Sequence, residues 1–324
     1  MNEQYAYAVA RIRVKELSLF NRQVIERLMS CGSYEECLRV LAEKGWGDGT
    51  PGLEAECILE MEREKTWALL RELVGDLSVF RAFLYRSDFQ NLKAAIKAVV
   101  TDAPEDLLQS LFPVQGMVDA QLMLRAVREN DFALLPAFLG DPGKEAYLAL
   151  LHTRDGQLCD IILDKAALCA TLLAGQESGD EMITQYAQLT VATADIKIAV
   201  RGQRTGKSAA FLRRALAPCP TLDVERLAQA AQKEETLFQY LETTPYTGAA
   251  KAIARSASAF EKWCDDEMMS LIAGQKSNPF TVAPLAAYLL ARENEIKTVR
   301  MILSGKRNHL DGDAIRARLR DMYV

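Results

Sequence analysis
The reading of the fold turns on Tyr288-Leu289-Leu290-Ala291-Arg292-Glu293-Asn294-Glu295-Ile296-Lys297-Thr298-Val299-Arg300-Met301-Ile302-Leu303-Ser304-Gly305-Lys306-Arg307. Leu285, Leu289, Ile296, Val299 and Leu303 fall at spacings that keep returning to one helical face. Glu293 and Lys297 stand four apart with the acid first, the order that supports a helix. Gly305 follows the last apolar turn and is expected to end the helix in the left-handed conformation. Lys306 and Arg307 then suit the C-terminal end of the helix dipole. Nothing here has the chemistry of a nucleophile, a metal ligand set or a phosphate cradle. The run is structural or interactive.

Outward from it, the same period governs the chain. Residues 3–30 read as almost continuous helix, with Tyr5, Val9, Ile12, Leu17, Phe20, Val24 and Leu28 recurring. Gly32 stops it, and Ser33 with Glu36 three residues on is a capping box for a helix reaching Lys44. Gly45, Gly47, Gly49, Pro51 and Gly52 break the chain before a long amphipathic segment over 53–74. A helix covers 88–96, and Asp102 to Pro104 opens a new segment. Short helices are expected over 118–130 and 131–139, and Gly140-Asp141-Pro142-Gly143 reads as a turn. Further helices are expected over 144–151, 159–173, 182–201, 209–216, 221–241, 248–272 and 313–320. Breaks fall at 175–179 and 202–206, and Pro218 and Pro220 end the 209–216 helix. No segment alternates as a strand would, so the fold class is all-α.

Composition narrows the function. The chain has 324 residues, 49% hydrophobic and 26% charged, with a formal net charge of -5. That balance speaks against a general nucleic-acid binder. The charge is uneven: Arg292 to Arg320 holds eight Lys/Arg against four Asp/Glu, a local +4. The seven cysteines include no C-x-x-C pair, as in a chain that keeps its thiols reduced. The N-terminus lacks a charged region followed by an apolar one, so no signal peptide is expected. The longest uncharged apolar run, about 282–291, is half of what a membrane-crossing helix needs.

Catalytic motifs are weak. Gly202-Gln203-Arg204-Thr205-Gly206-Lys207-Ser208 resembles a phosphate-binding loop, but one residue is missing between the glycines and a helix precedes it where a strand is needed. His152 and His309 lie in no metal-ligand spacing. The acid clusters Glu35-Glu36 and Asp265-Asp266-Glu267 read as solvated helix faces. No cofactor, metal or catalytic residue is expected.

Three segments repeat a pattern of acid, apolar-basic helix and terminator: Asp88-Phe89-Gln90-Asn91-Leu92-Lys93, Asp195-Ile196-Lys197-Ile198-Ala199-Val200-Arg201 and Glu295-Ile296-Lys297-Thr298-Val299-Arg300. The acids are 107 and 100 residues apart (195 minus 88, 295 minus 195). Such spacing suggests three helical units of about a hundred residues, each able to close a small bundle. A generic helical scaffold would repeat over some 35 to 45 residues instead.

These segments, with Tyr5-Ala6-Tyr7-Ala8-Val9-Ala10-Arg11-Ile12-Arg13 at the N-terminus and Arg292 to Lys306 at the C-terminus, resemble the C subunit of V-type and A-type ATPases or ATP synthases. The eukaryotic relative is the d subunit. This chain departs from the usual pattern at Thr298, Ile198 and Trp46. The resemblance implies three related three-helix bundles in a pseudo-threefold funnel, divided near 1–112, 113–218 and 219–324. It implies no catalytic site and no cofactor. It implies a cytoplasmic protein peripheral to the membrane, a socket between the central axle of D and F subunits and the membrane rotor ring. Asp88, Asn91, Asp195, Arg201, Arg292, Glu295, Arg300, Lys306 and Arg307 are the candidates for binding those partners or fixing bundle geometry. The basic end around Arg292, Arg300, Lys306 and Arg307 is the expected seat for a rotor partner.

Overall fold
A computed structural model describes residues 5–50, 52–104 and 116–324. Among these residues the structure is helical, with no strand and one isolated bridge between Cys219 and Leu222. The helices in order are α1 (Ala6–Glu16), α2 (Arg22–Ser30), α3 (Tyr34–Glu43), α4 (Ala55–Val74), α5 (Arg81–Val100), α6 (Ala120–Arg128), α7 (Ala137–Thr153) and α8 (Gly156–Glu177). They continue as α9 (Glu181–Arg204), α10 (Ala209–Ala215), α11 (Val224–Ala230), α12 (Glu234–Glu242), α13 (Thr247–Arg255), α14 (Ala257–Ala273), α15 (Ala283–Arg307) and α16 (Gly312–Arg316). Two compact units form: one from Met1–Leu77, Asp180–Met182 and Gly248–Val324, the other from Ser78–Gly179 and Ile183–Thr247.

In the first unit α15 is the central element. It packs on α1, α2, α3, α4, α14 and α16. Pro284 sits in its first turn, where a missing N–H costs nothing. With so many neighbours the helix is buried round most of its circumference, polar positions included: Arg292, Asn294, Glu295 and Thr298 are all inside. The one-faced pattern expected from the sequence is therefore only part of its contact surface. Ile296, Val299, Ile302 and Leu303 join Ile25, Leu28, Val40, Leu41, Ile58 and Leu59 in one apolar core. In the second unit α5 is central, packing on α6, α7 and α8, while α8 also meets α7 and α10.

Glycine misled the sequence reading wherever close packing, not turning, demanded it. Gly305 is helical; the left-handed residue is His309, φ 53°. The helix stops when the N–H of Leu310 donates to Gly305 O and that of His309 to Lys306 O. A Cβ on Gly305 would lie 2.5 Å from Ile315 Cγ1, so glycine is there to admit α16. Gly140 and Gly143 lie within α7, as does Pro142, so no turn forms there. A Cβ on Gly140 would meet Phe132 O at 2.6 Å, and one on Gly143 would press on Leu92 and the Phe132 ring. Gly175 and Gly202 are likewise helical, and the breaks come later, at Gly179 and Gly206, whose φ values are positive.

Other corrections come from local caps. The helix expected over 3–30 is two helices, because the Asn21 side chain accepts the Val24 N–H and starts α2. The 248–272 stretch divides at Ser256, which caps α14 through the Ala259 N–H. The 221–241 stretch divides into α11 and α12. Residues 131–139 hold a short 3-10 turn, Phe132–Leu134, before α7 begins. The last helix starts at the Asp311 cap and covers Gly312–Arg316. The Ser33 cap forms as read, its Oγ accepting the Glu36 N–H, while the Glu36 carboxylate accepts the Gly32 N–H at 2.7 Å, one residue ahead of the Ser33 N–H that a full box would use. The segment opened at Asp102 runs beyond Pro104 outside the described residues.

Candidate functional site
The three acids of the repeat occupy one local role. Asp88 on α5, Asp195 on α9 and Glu295 on α15 are each fully buried. Asp88 Oδ1 accepts the Val118 N–H at 3.1 Å. Asp195 Oδ1 accepts the Ala217 N–H at 3.0 Å. Glu295 Oε1 accepts the Phe20 N–H. Every donor lies on the stretch of chain that leads into a short helix started by an Asx cap: Asp119 for α6, Asp223 for α11, Asn21 for α2. A long helix thus holds the backbone entering a short one through a charge-assisted bond in a dry site. On each long helix the residues one and four positions on also face the core: Phe89 and Leu92, Ile196 and Ala199, Ile296 and Val299.

Burial sets the electrostatics. It pushes the Asp88 carboxyl up to about 6, with the Val118 and Met117 N–H groups pulling back. It pushes Asp195 up to about 7, against the Ala217 N–H and Lys165. Asp88 Oδ2 and Asp195 Oδ2 are buried with no hydrogen-bond partner among the described residues. Glu295 is also raised to about 7 by burial, against Arg292 and the Phe20 N–H.

Around Glu295 the site is more elaborate. The buried Arg292 guanidinium bonds Glu295 Oε2 and reaches Glu62 Oε2 on α4 at 2.7 Å. It lies 5.2 Å from the Trp46 ring centroid, and Trp46 stacks on Phe20 at 4.8 Å. Glu62 Oε1 in turn accepts the Gly47 N–H and pairs with Lys65. The Gly45–Gly49 loop can bring Trp46 there because Gly45, Gly47, Asp48 and Gly49 all take positive φ. Sequence reading missed Glu62 and Trp46 as partners of this centre. It also missed the Asx caps, although Asn21, Asp119 and Asp223 are 98 and 104 residues apart (119 minus 21, 223 minus 119).

The remaining candidates scatter. Arg300 makes a two-point pair with Glu56, at 2.8 and 3.3 Å. Lys306 donates to Met29 O at 2.7 Å and Cys31 O at 2.6 Å. Asn91 is buried on α5, whereas Arg201 and Arg307 are exposed. Lys297 and Arg320 both pair with Asp265, and Arg316 with Glu26. Most of the basic C-terminal end is thus paired within the chain, Arg292 and Arg320 in buried positions and Lys297, Arg300 and Arg316 at the surface. Lys207, in the phosphate-loop lookalike, bonds Gln157 Oε1 at 3.0 Å and lies over the Phe211 ring. Its loop is a helix stop closed by Gly206, in which the Lys207 N–H points back to Gly202 O.

Two surface features stand apart from these bonds. On and just after α1, Tyr7, Val14 and Leu17 are 66%, 65% and 86% exposed, a stripe of apolar side chains at helical spacing. A shallow depression of about 320 Å³ lies between α1 and residues 276–280, lined by Val9, Ala10, Pro279 and Phe280 among others. Among the described residues no helix is long and apolar enough to cross a membrane, and no three His, Cys, Asp or Glu side chains are grouped to hold a metal.

Comparison with known proteins points one way. Residues 8–318 match the family described as ATP synthase (C/AC39) subunit. The chain is 24% identical to the C subunit of the V-type sodium ATPase of Enterococcus hirae, over 96% of this chain and 97% of that one. It is 23% identical to the C subunit of the A-type ATP synthase of Thermococcus kodakarensis, over 92% and 86%. It is 24% identical to the C subunit of the V-type ATP synthase of Deinococcus radiodurans, over 98% and 91%. A match along nearly the whole chain, on an all-α fold, means that the chain belongs to the ATP synthase (C/AC39) subunit family, a structural and non-catalytic part of the V- and A-type complexes.

Proposed function
We propose that this chain is a rotor component of a V/A-type rotary ATPase. It links the central axle of D and F subunits to the membrane rotor ring and transmits torque in ion-coupled ATP synthesis or hydrolysis. The observation that carries the reading is the family match over residues 8–318. The three buried carboxylates support it. A torque adaptor must not yield in torsion, and each carboxylate ties a short helix to a long one through a bond that water cannot exchange. Three related three-helix bundles, dividing near 1–112, 113–218 and 219–324 about a pseudo-threefold funnel, are the architecture this implies. The protein then works at the cytoplasmic face, peripheral to the membrane. With Arg292, Arg300 and Lys306 engaged within the chain, the exposed apolar stripe of α1 is the better candidate for a rotor contact.

The test is isolation of the tagged chain from membranes in mild detergent. Catalytic, axle and ring subunits should come down together. A monomer free of all of them, from cells that express the complex, overturns the reading. Replacing Leu17 and Val14 by Glu, both on the surface, should weaken that recovery while leaving the fold intact.

A further inference from the structure
A second charged surface, which includes Arg201 and Lys207, lies outside the three carboxylate anchors. Between Asp195 and Asp223 lie six Lys/Arg and no Asp or Glu: Lys197, Arg201, Arg204, Lys207, Arg213 and Arg214. In a chain of net charge -5 this stretch carries +6, so the remainder carries -11 (-5 minus +6). The structure gathers these charges at one corner. The last turn of α9 packs directly on α10: a Cβ on Gly202 would lie 2.5 Å from Leu212 Cδ2, so Gly202 admits the second helix. Arg201 and Arg204 flank that contact on one side, Arg213 and Arg214 on the other, and all four are exposed. Lys165 joins them from α8, its Nζ 3.2 Å from Arg213 O.

Three cations of this corner, Arg201, Arg204 and Arg214, stand without an ion pair among the described residues, whereas Arg292, Lys297, Arg300, Arg316 and Arg320 of the C-terminal end each have one. Arg213 is already engaged at this corner, its Nε and Nη2 holding both oxygens of Glu225 at 2.6 and 2.5 Å, a two-point carboxylate contact of the kind its neighbours are free to make. Four of the six cations are arginine, whose planar fork fits carboxylates at two points. No large apolar side chain is exposed between residues 196 and 222, so the corner lacks the second signal that stable membrane attachment needs.

We infer that the α9–α10 corner, through Arg201, Arg204 and Arg214, docks an acidic, carboxylate-bearing segment of a partner protein. The inference goes beyond the rotor reading and stands on charge and placement alone. Such contacts orient a partner and speed its arrival more than they add affinity, and salt weakens them.

The full-length chain is titrated with a fluorescent oligoglutamate peptide at low salt, and in parallel with phosphatidylcholine vesicles with and without phosphatidylserine. The Arg201→Glu, Arg204→Glu, Arg214→Glu triple variant should bind the peptide about tenfold more weakly, a loss of about 1.4 kcal/mol. A control reverses three exposed cations elsewhere, Arg22→Glu, Arg71→Glu and Lys251→Glu, and should bind as the parent does. All six positions are exposed, so helix content should persist in circular dichroism. Equal loss in the control reduces the effect to net charge and overturns the inference. Unchanged peptide binding in the triple variant overturns it, as does binding to the phosphatidylserine vesicles without binding to the peptide.

Discussion
At Asp195 a single side chain couples packing to pH. Its carboxyl is buried, one oxygen accepts the Ala217 N–H, and the other has no partner among the described residues. Burial raises it to about 7 in the folded chain, whereas a free aspartate titrates near about 3.9. The folded state therefore holds the proton more tightly. Its stabilising share is fully present below the unfolded value and is lost as pH rises through about 7. Asp195→Asn keeps an oxygen for Ala217 and removes the titration. Its urea midpoint should depend less on pH between about 4 and about 7 than that of the parent chain. A variant that keeps the full slope would show that another group titrates. Gly305 makes a steric prediction at the same scale. Gly305→Ala drives a methyl into Ile315 and should cost about 1–3 kcal/mol in urea unfolding. Shortening Ile315 to alanine in the same chain should recover part of the loss from the alanine at 305, a coupling that a double-mutant cycle reads directly.

At the scale of elements, α15 joins α4 and the Gly45–Gly49 loop through one guanidinium. Arg292 sits between Glu62 and Glu295 and against Trp46. Arg292→Ala strands two buried carboxylates and should cost about 3–5 kcal/mol, measured by equilibrium unfolding. A variant as stable as the parent would show that water or a rearranged loop replaces the cation. Among the caps Ser33 was the legible one, because it depends on residues three apart and nothing remote, whereas Asn21, Asp119, Asp223 and Ser256 were not read. Gly140, Gly175, Gly202 and Gly305 were the least legible. A glycine that turns the chain and one that admits a neighbouring helix look the same in sequence, and only the neighbour tells them apart.

On the scale of the whole molecule, the Glu295 anchor reaches back across the sequence to Phe20, while Asp88 and Asp195 reach forward by 30 and 22 residues. The first and last parts of the chain therefore share one compact unit. Glu295→Ala should raise hydrogen exchange at the Phe20 amide and through α2, leaving the Val118 and Ala217 amides as protected as before. Faster exchange at all three would mean that the anchors act together and not locally.

The sequence by itself determined the all-α class, the hundred-residue spacing of Asp88, Asp195 and Glu295, and the family resemblance. Each rests on local periodicity or on residue identity, which the linear chain carries in full. Which charges remain free was decided by tertiary structure alone. In the linear chain the C-terminal helix offers Arg292, Arg300 and Lys306 to a partner, yet each finds its bond within the fold, with Glu62 and Glu295, with Glu56, and with the carbonyls of Met29 and Cys31. The physical reason is the central place of α15. A helix packed on six others has little surface left for solvent, so Arg292 and Glu295 must pair inside, while Arg201, Arg204 and Arg214 stand exposed at the α9–α10 corner.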